Sequence, residues 1–207
     1  MKNIKMKLVQ IPGQSFEMQA TTVTQELYAV VLGCNPSRFS GEPGLPVEQV
    51  SWYDAVEFCN HASRIQGLES CYEISVNGKH VDWHKHYNGF RLPTEAEWEC
   101  ACRAGSDVDP AGGDLLARAW YYENAGGHTN PVGLRQPNAW GLYDMLGNVW
   151  EWCWDLRDPT QSSRRALRGG SWFHYARGTR AGNRNSSTPS SHYCSLGFRC
   201  SRTLRQR

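Results

Sequence analysis

PNAWGLYDMLGNVWEWCWD, residues 137–155, is the stretch that decides how this chain must fold. Trp140, Trp150, Trp152 and Trp154 crowd into it. Indoles at this density supply the aromatic bulk that a large regular core would otherwise provide. Each buried N–H then needs an acceptor, and loop carbonyls can serve. The tail of the stretch, VWEWCWD, reads as a strand. Its middle turns at Gly147, a residue that lets the backbone swing its carbonyls inward. The segment therefore predicts ordered loop feeding a short strand, not a long periodic element.

The flanking chain follows the same pattern. Twenty Gly and ten Pro among 207 residues, with few long periodic stretches, indicate much irregular structure. Nine Trp, nine Tyr and six Phe suffice for a core of ordinary size. Residues 5–20, with Val9, Ile11 and Phe16 around Pro12-Gly13, predict a hairpin. Thr24 is a candidate N-cap for a helix within 22–32, with Leu27, Val30 and Val31 on its apolar side. Residues 35–46 read as loop. Ser51 and Asp54 form a capping-box pattern for a second helix running to about Gln66, with Gly67 closing it. CYEISV and KHVDWH predict strands around an Asn77-Gly78 turn. Thr94 and Glu97 form a second capping box, and Trp98 lies on the apolar side of the helix it starts. Residues 105–137 read mostly as loop. ALRGGSW and LGFRCSR complete the strand candidates. With no internal repeat and no clear linker, the chain reads as one domain over 1–207; 105–113 is the only candidate boundary.

The formal net charge of +2 implies neither a nucleic-acid partner nor a membrane surface. No apolar run approaches the roughly 18 residues of a transmembrane segment. The opening MKNIKMKLVQIPG is basic but lacks an apolar core and a cleavage site, so it is not a signal peptide as it stands. Eight scattered cysteines without paired CxxC units argue against a zinc ribbon and leave the redox compartment and any disulfide pattern open.

Residues 173–200, FHYARGTRAGNRNSSTPSSHYCSLGFRC, have a restricted alphabet. They contain no Lys, Glu, Gln, Met or Trp, and every residue belongs to the set encoded by two free bases followed by cytosine. Aromatics and small polar residues on a rigid frame are what a paratope uses. A Ser/Asn-rich loop before a last strand would look much the same on composition.

NPSRF at 35–39, PVEQVSWYDAVEFCN at 46–60, GFRLPTEAEWE at 89–99, NPVG at 130–133, PNAWGLYDMLGNVWEW at 137–152, RGGSW at 168–172 and GFR at 197–199 occur in one order. Together they resemble the formylglycine-generating, sulfatase-modifying family over nearly the whole chain. The resemblance implies an α+β, C-type-lectin-like fold: a small twisted antiparallel sheet, two or three helices and extensive ordered loop. Active members oxidise a cysteine with copper held by two cysteines. Those positions here are His174 and Thr179, so no thiolate pair for copper is present and the expectation is a non-enzyme. His80, His84 and His86 cluster locally, but they lack carboxylate support and read as ordinary histidines. The family also wraps a structural calcium ion. Carried over, its ligands would be Asp144, the carbonyls of Gly147 and Val149, and Glu151, an oxygen set that suits a hard cation. Capping or pairing of Asp144 and Glu151 with arginines is the alternative.

Inactive members with RGGSW and GFR near the C-terminus resemble the variable proteins of diversity-generating retroelements, those of spirochaetes included. That likeness makes 168–200 a diversified binding segment. Its variable positions would be Phe173, His174, Tyr175, Gly178, Thr179, Asn185, Ser186, Ser187, Ser190, Ser191, His192, Tyr193, Cys194 and Ser195. The implied partner is a protein or other macromolecular surface, and the implied location is the cell surface or exterior, with a cytoplasmic accessory domain as the alternative. An oxidoreductase with altered ligands is the enzymatic alternative. Ligand identity and oligomeric state are not legible.

Overall fold

Ser51 starts the longest helix among the described residues. Its hydroxyl accepts from Asp54 N at 3.1 Å, and Asp54 Oδ2 accepts from Ser51 N at 2.8 Å. This reciprocal cap satisfies two donors that the first turn would otherwise leave free. The computed structural model describes residues 4–76, 78, 80–107, 109, 111, 114–160 and 163–204. In it, α1 spans Gln25–Leu32 and α2 spans Trp52–Ile65. Thr24 caps α1 through Leu27 N at 3.2 Å. Gly67, at φ +69°, follows the end of α2 in the left-handed region that glycine tolerates. Tyr28 of α1 stacks on Phe58 of α2 with centroids 5.5 Å apart, and Phe198 meets Phe58 edge-on at 5.2 Å. These rings seed one of two buried clusters.

The expected hairpin at 5–20 is β1 (Leu8–Gln10) against β2 (Phe16–Gln19), with Leu8 opposite Gln19. The hairpin at 71–87 is β3 (Tyr72–Ile74) against β4 (Val81–Trp83); Asn77 of its expected turn lies outside the described residues. β5 (Phe90–Arg91) leads into α3 (Glu95–Arg103), which Thr94 and Glu97 cap reciprocally. Trp98, Ala101 and Cys102 form its buried face, in the second cluster.

Among the described residues the strands form two four-stranded sheets and the separate hairpin, not one small sheet. The first sheet has the order β1-β2-β10-β5, so β10 (Ser201–Thr203) pairs antiparallel with both β2 and β5. The second has the order β8-β7-β6-β9, from β6 (Trp150–Leu156), β7 (Arg165–Arg168), β8 (Arg184–Ser187) and β9 (Leu196–Gly197). LGFRCSR is thus two strands in two sheets. β9 runs parallel to β6, so this sheet is not wholly antiparallel. Within 105–137 the described residues include the short helix α4 (Leu115–Arg118), capped by Asp114. All eight cysteines are free thiols, with the Sγ atoms of Cys59 and Cys200 3.8 Å apart. No helix among the described residues is long and apolar enough to cross a membrane.

Candidate binding surface

Gly169 and Gly170 begin the C-terminal segment at φ +97° and +80°. A Cβ on Gly170 would meet Gly178 O at 2.9 Å, and one on Gly169 would meet Met145 O at 3.1 Å. Only glycine allows both the backbone angle and that approach. From there the segment is held by its main chain. Tyr122 N donates to His174 O, Trp52 N to Pro189 O and Gln49 N to Tyr193 O, each at 3.0 Å. Trp172 Nε1 donates to Cys194 O at 3.0 Å and Trp150 N to Ser195 O at 2.8 Å. Each of these bonds takes a main-chain carbonyl, which every residue supplies whatever its side chain, so these ties survive substitution of the residues that carry them.

The side chains divide by position. Phe173, Tyr175 and Tyr193 are 61%, 53% and 55% exposed. Asn185, Ser190 and His192 are exposed as well. His192 Nε2 lies 3.2 Å from Asp54 Oδ2 of the α2 cap. His174, Gly178, Ser186, Ser191, Cys194 and Ser195 are half-buried. His174 sits edge-on to Trp150 at 5.2 Å, with Nδ1 2.8 Å from Ser171 Oγ. Burial holds its imidazole pKa below the ordinary 6.5. Gly178 ends a 3-10 turn over Ala176–Gly178. Thr179 and Ser187 are buried and do not present side chains outward. Thr179 lies under Gly170, and Ser187 Oγ donates to Ser191 Oγ at 2.8 Å.

Several of these residues converge. A groove of about 260 Å3 is lined by His174, Asn185, Ser186, Ser187, Tyr193 and Ser195, with Trp150 and Leu167 among its other walls. β8, at the edge of its sheet, carries Asn185 and Ser186 to this groove. The aromatic face continues beyond the segment. Tyr122, 52% exposed, meets Tyr175 with centroids 4.5 Å apart, and Phe39 meets Trp172 edge-on at 5.5 Å. Neither Tyr122 nor Phe39 is in the restricted stretch; Phe39 ends the NPSRF segment, but nothing in the sequence placed either of them on this face.

Beneath this surface lies a buried polar frame. Arg199 and Glu151 form a bidentate pair, with Nε to Oε2 and Nη2 to Oε1 both at 2.7 Å, and both side chains are essentially inaccessible. Trp98 Nε1 donates to Glu151 Oε2 at 2.8 Å. Arg199 Nη2 also reaches Tyr143 O at 2.9 Å. Arg168, fully buried, pairs with Glu99 and Glu95 of α3. The expected indole acceptors are present for Trp152, which donates to Val50 O at 2.9 Å, and for Trp52, which donates to Cys153 O at 3.0 Å.

The four oxygen-bearing residues of the calcium expectation differ in state. Asp144 stands at φ +52°, and Gly133 N donates to its Oδ2 at 2.7 Å. Its Oδ1 is buried without a hydrogen-bond partner among the described residues, and burial pushes the carboxyl pKa up to about 6. An unsatisfied buried carboxylate oxygen fits a nearby cation. Glu151 instead pairs with Arg199, the arginine alternative. Three of its roughly four acceptor positions are taken. The histidine cluster divides between two partners, His80 with Asp82 at 3.2 Å and His84 with Glu73 at 3.3 Å. Among the described residues no group of three or more His, Cys, Asp or Glu side chains is arranged to hold a metal.

A model of the sulfatase-modifying factor enzyme 1-like domain matches residues 5–204. Chaperone protein LppX of Paenibacillus barcinonensis is 35% identical over 187 residues, covering 72% of this chain and 66% of that protein. Inactive C-alpha-formylglycine-generating enzyme 2 of Mus musculus is 34% identical over 175 residues, covering 75% of this chain and 48% of that protein. The chain thus spans about two thirds of the first relative and half of the second. The solved structure of Treponema denticola variable protein 1 superposes with a TM-score of 0.84 at 33% identity, over 98% of this chain and 93% of that one. The architecture is therefore the C-type-lectin-like α+β fold that this variable protein shares.

Proposed function

We propose that this chain, which belongs to the sulfatase-modifying factor enzyme 1-like family, is a non-enzymatic binding protein whose C-terminal surface varies in sequence. One observation carries the reading: the restricted stretch shows its aromatics to solvent while its carbonyls are tied to the frame. Substituting an exposed side chain there changes what a partner meets and leaves the main-chain bonds in place. Phe173, Tyr175 and Tyr193 supply contact area at low entropy cost, and Asn185, Ser190 and His192 supply adaptable polar contacts. A face of this breadth suits a protein or other macromolecular ligand. The likeness to Treponema denticola variable protein 1 supports the same reading.

The positions corresponding to the copper cysteines carry an imidazole, His174, and a buried hydroxyl, Thr179. This donor pair is a poor soft-metal site and supports the non-enzymatic reading. Asp144, the carbonyls of Gly147 and Val149, and the remaining lone pair of Glu151 would hold Ca2+, whose charge would stiffen the loops under the binding face. We extend the proposal to a location at the cell exterior, which fractionation of the native protein tests.

Sequencing the gene across isolates of one strain tests the proposal. Differences should concentrate at the exposed positions of 173–195, and a uniform spread over the gene would overturn it. Oxygen consumption and aldehyde formation on a cysteine-containing peptide with copper would instead favour the oxidoreductase reading.

A further inference from the structure

A second pocket, of about 450 Å3, lies beside the variable face and outside residues 168–200. Arg38, Phe39, Ser40, Glu42, His128 and Thr129 line it. Its size falls within the range of about 300–1,000 Å3 typical of small-ligand clefts. The pocket is built on a fixed loop. Phe39 N donates to Glu48 Oε1 and Gln25 Nε2 donates to Phe39 O, both at 2.8 Å, and Asn35 Nδ2 reaches Gln25 Oε1 at 2.9 Å. Such support holds the Phe39 ring in place before any ligand arrives.

The lining chemistry is selective. Arg38 and Glu42 carry opposite charges, and no ion pair holds either of them among the described residues. An anionic ligand would face Glu42 and a cationic one would face Arg38. A neutral ligand with alternating donors and acceptors satisfies both. Thr129 Oγ1 is buried without a partner among the described residues, so the pocket has a hydroxyl with unspent hydrogen-bonding capacity. The Phe39 ring carries the Arg38 guanidinium over it at 5.7 Å and has His128 at 6.2 Å, so an apolar ring and a fork of donors stand side by side in the lining. Amphipathic rings edged by hydroxyls are the shape that matches.

We infer that this pocket is a fixed subsite for a neutral hexose unit of a glycan, adjoining the variable surface. Phe39 meets Trp172 and Trp172 meets Phe173 at 5.4 Å, so ring contacts link the pocket's Phe39 to the first varied aromatic. A glycan-bearing partner would place its constant sugar at Phe39 and its changing surroundings on Phe173 and its neighbours. The inference uses the proposed binding role only for that adjacency.

Saturation-transfer NMR on the full chain tests it, with maltotriose, cellotriose, mannotriose and free glucose as probes and an acidic and a basic tripeptide as controls. The expected result is transfer to at least one trisaccharide, stronger than to glucose or either peptide. Transfer should vanish in Phe39→Ala and in Ser40→Tyr, which fills the pocket from an exposed position, and should persist in Ile74→Ala, an exposed side chain of β3 outside both surfaces. Melting curves establish that each variant is folded. No transfer from any sugar, or transfer that survives Ser40→Tyr, overturns the subsite. Should that happen while Phe173 and Tyr193 still govern partner binding, the subsite alone falls.

Discussion

The frame around Glu151 and the segment at 173–195 use the same chemical groups in opposite ways. In the frame, side chains make the structure: Arg199, Glu151 and Trp98 close a buried polar lattice in which every member depends on the others. In the segment, main-chain carbonyls make the ties to the frame and the exposed aromatic side chains stand outside them, while Thr179 and Ser187 are buried and Arg184 pairs with Glu95. The contrast teaches where a protein can afford change. Sequence matters energetically where side chains carry the bonds, and it is released where the backbone carries them.

Substitutions should separate the two regions by size of effect. Arg199→Ala leaves the Glu151 carboxylate buried and uncompensated, and should cost about 3–5 kcal/mol in denaturant melts. A smaller loss there would mean that the lattice is less interdependent than its geometry implies. Asp144 comes next. Its folded pKa is raised from 3.8 to about 6 by burial, so its contribution is fully present below about pH 4 and is lost as pH rises through about 6. Over roughly two pKa units that loss amounts to about 3 kcal/mol. In calcium-free buffer at pH 7.5, Asp144→Asn should recover much of it and flatten the pH profile of stability between 4 and 6. Added Ca2+ should raise the melting temperature of the parent and not of this variant. Gly197→Ala sharpens the comparison inside the C-terminal strand itself. Its Cβ would sit 2.4 Å from Val47 O, and the cost should be about 1–3 kcal/mol. Phe173→Ala and Tyr193→Ala, at exposed positions of the preceding segment, should each change stability by no more than about 0.5 kcal/mol, measured in the same melts.

The sequence shows the frame more clearly than the surface. Both capping boxes, at Ser51 and Thr94, are legible because a cap is a local pattern of two residues three apart. The hairpins at 8–19 and 72–83 are legible from alternation and turn residues. β8 is not, because Arg-Asn-Ser-Ser has little strand propensity; it forms because β7 offers it an unpaired edge. The division of LGFRCSR between two sheets is tertiary, fixed by where β6 and β2 lie. At the candidate site, the restricted alphabet points to the exposed aromatics but cannot tell them from Thr179 and Ser187. Those two belong to the same alphabet and are buried by the approach of Gly170 and by the β8 register. Tyr122 and Phe39 join the face from distant loops, a placement that only the fold creates.

The most direct test is a library in which Phe173, Tyr175, Asn185, Ser190, His192 and Tyr193 are randomised together with codons ending in cytosine. Thermal melts and amide exchange of unselected clones are the readout. Most clones should melt cooperatively near the parent and retain exchange protection at the amides of Gln49, Trp52, Tyr122 and Trp150, which hold the segment's carbonyls. Widespread unfolding, or loss of protection at those four amides, would contradict the claim that the backbone alone fixes the varied surface.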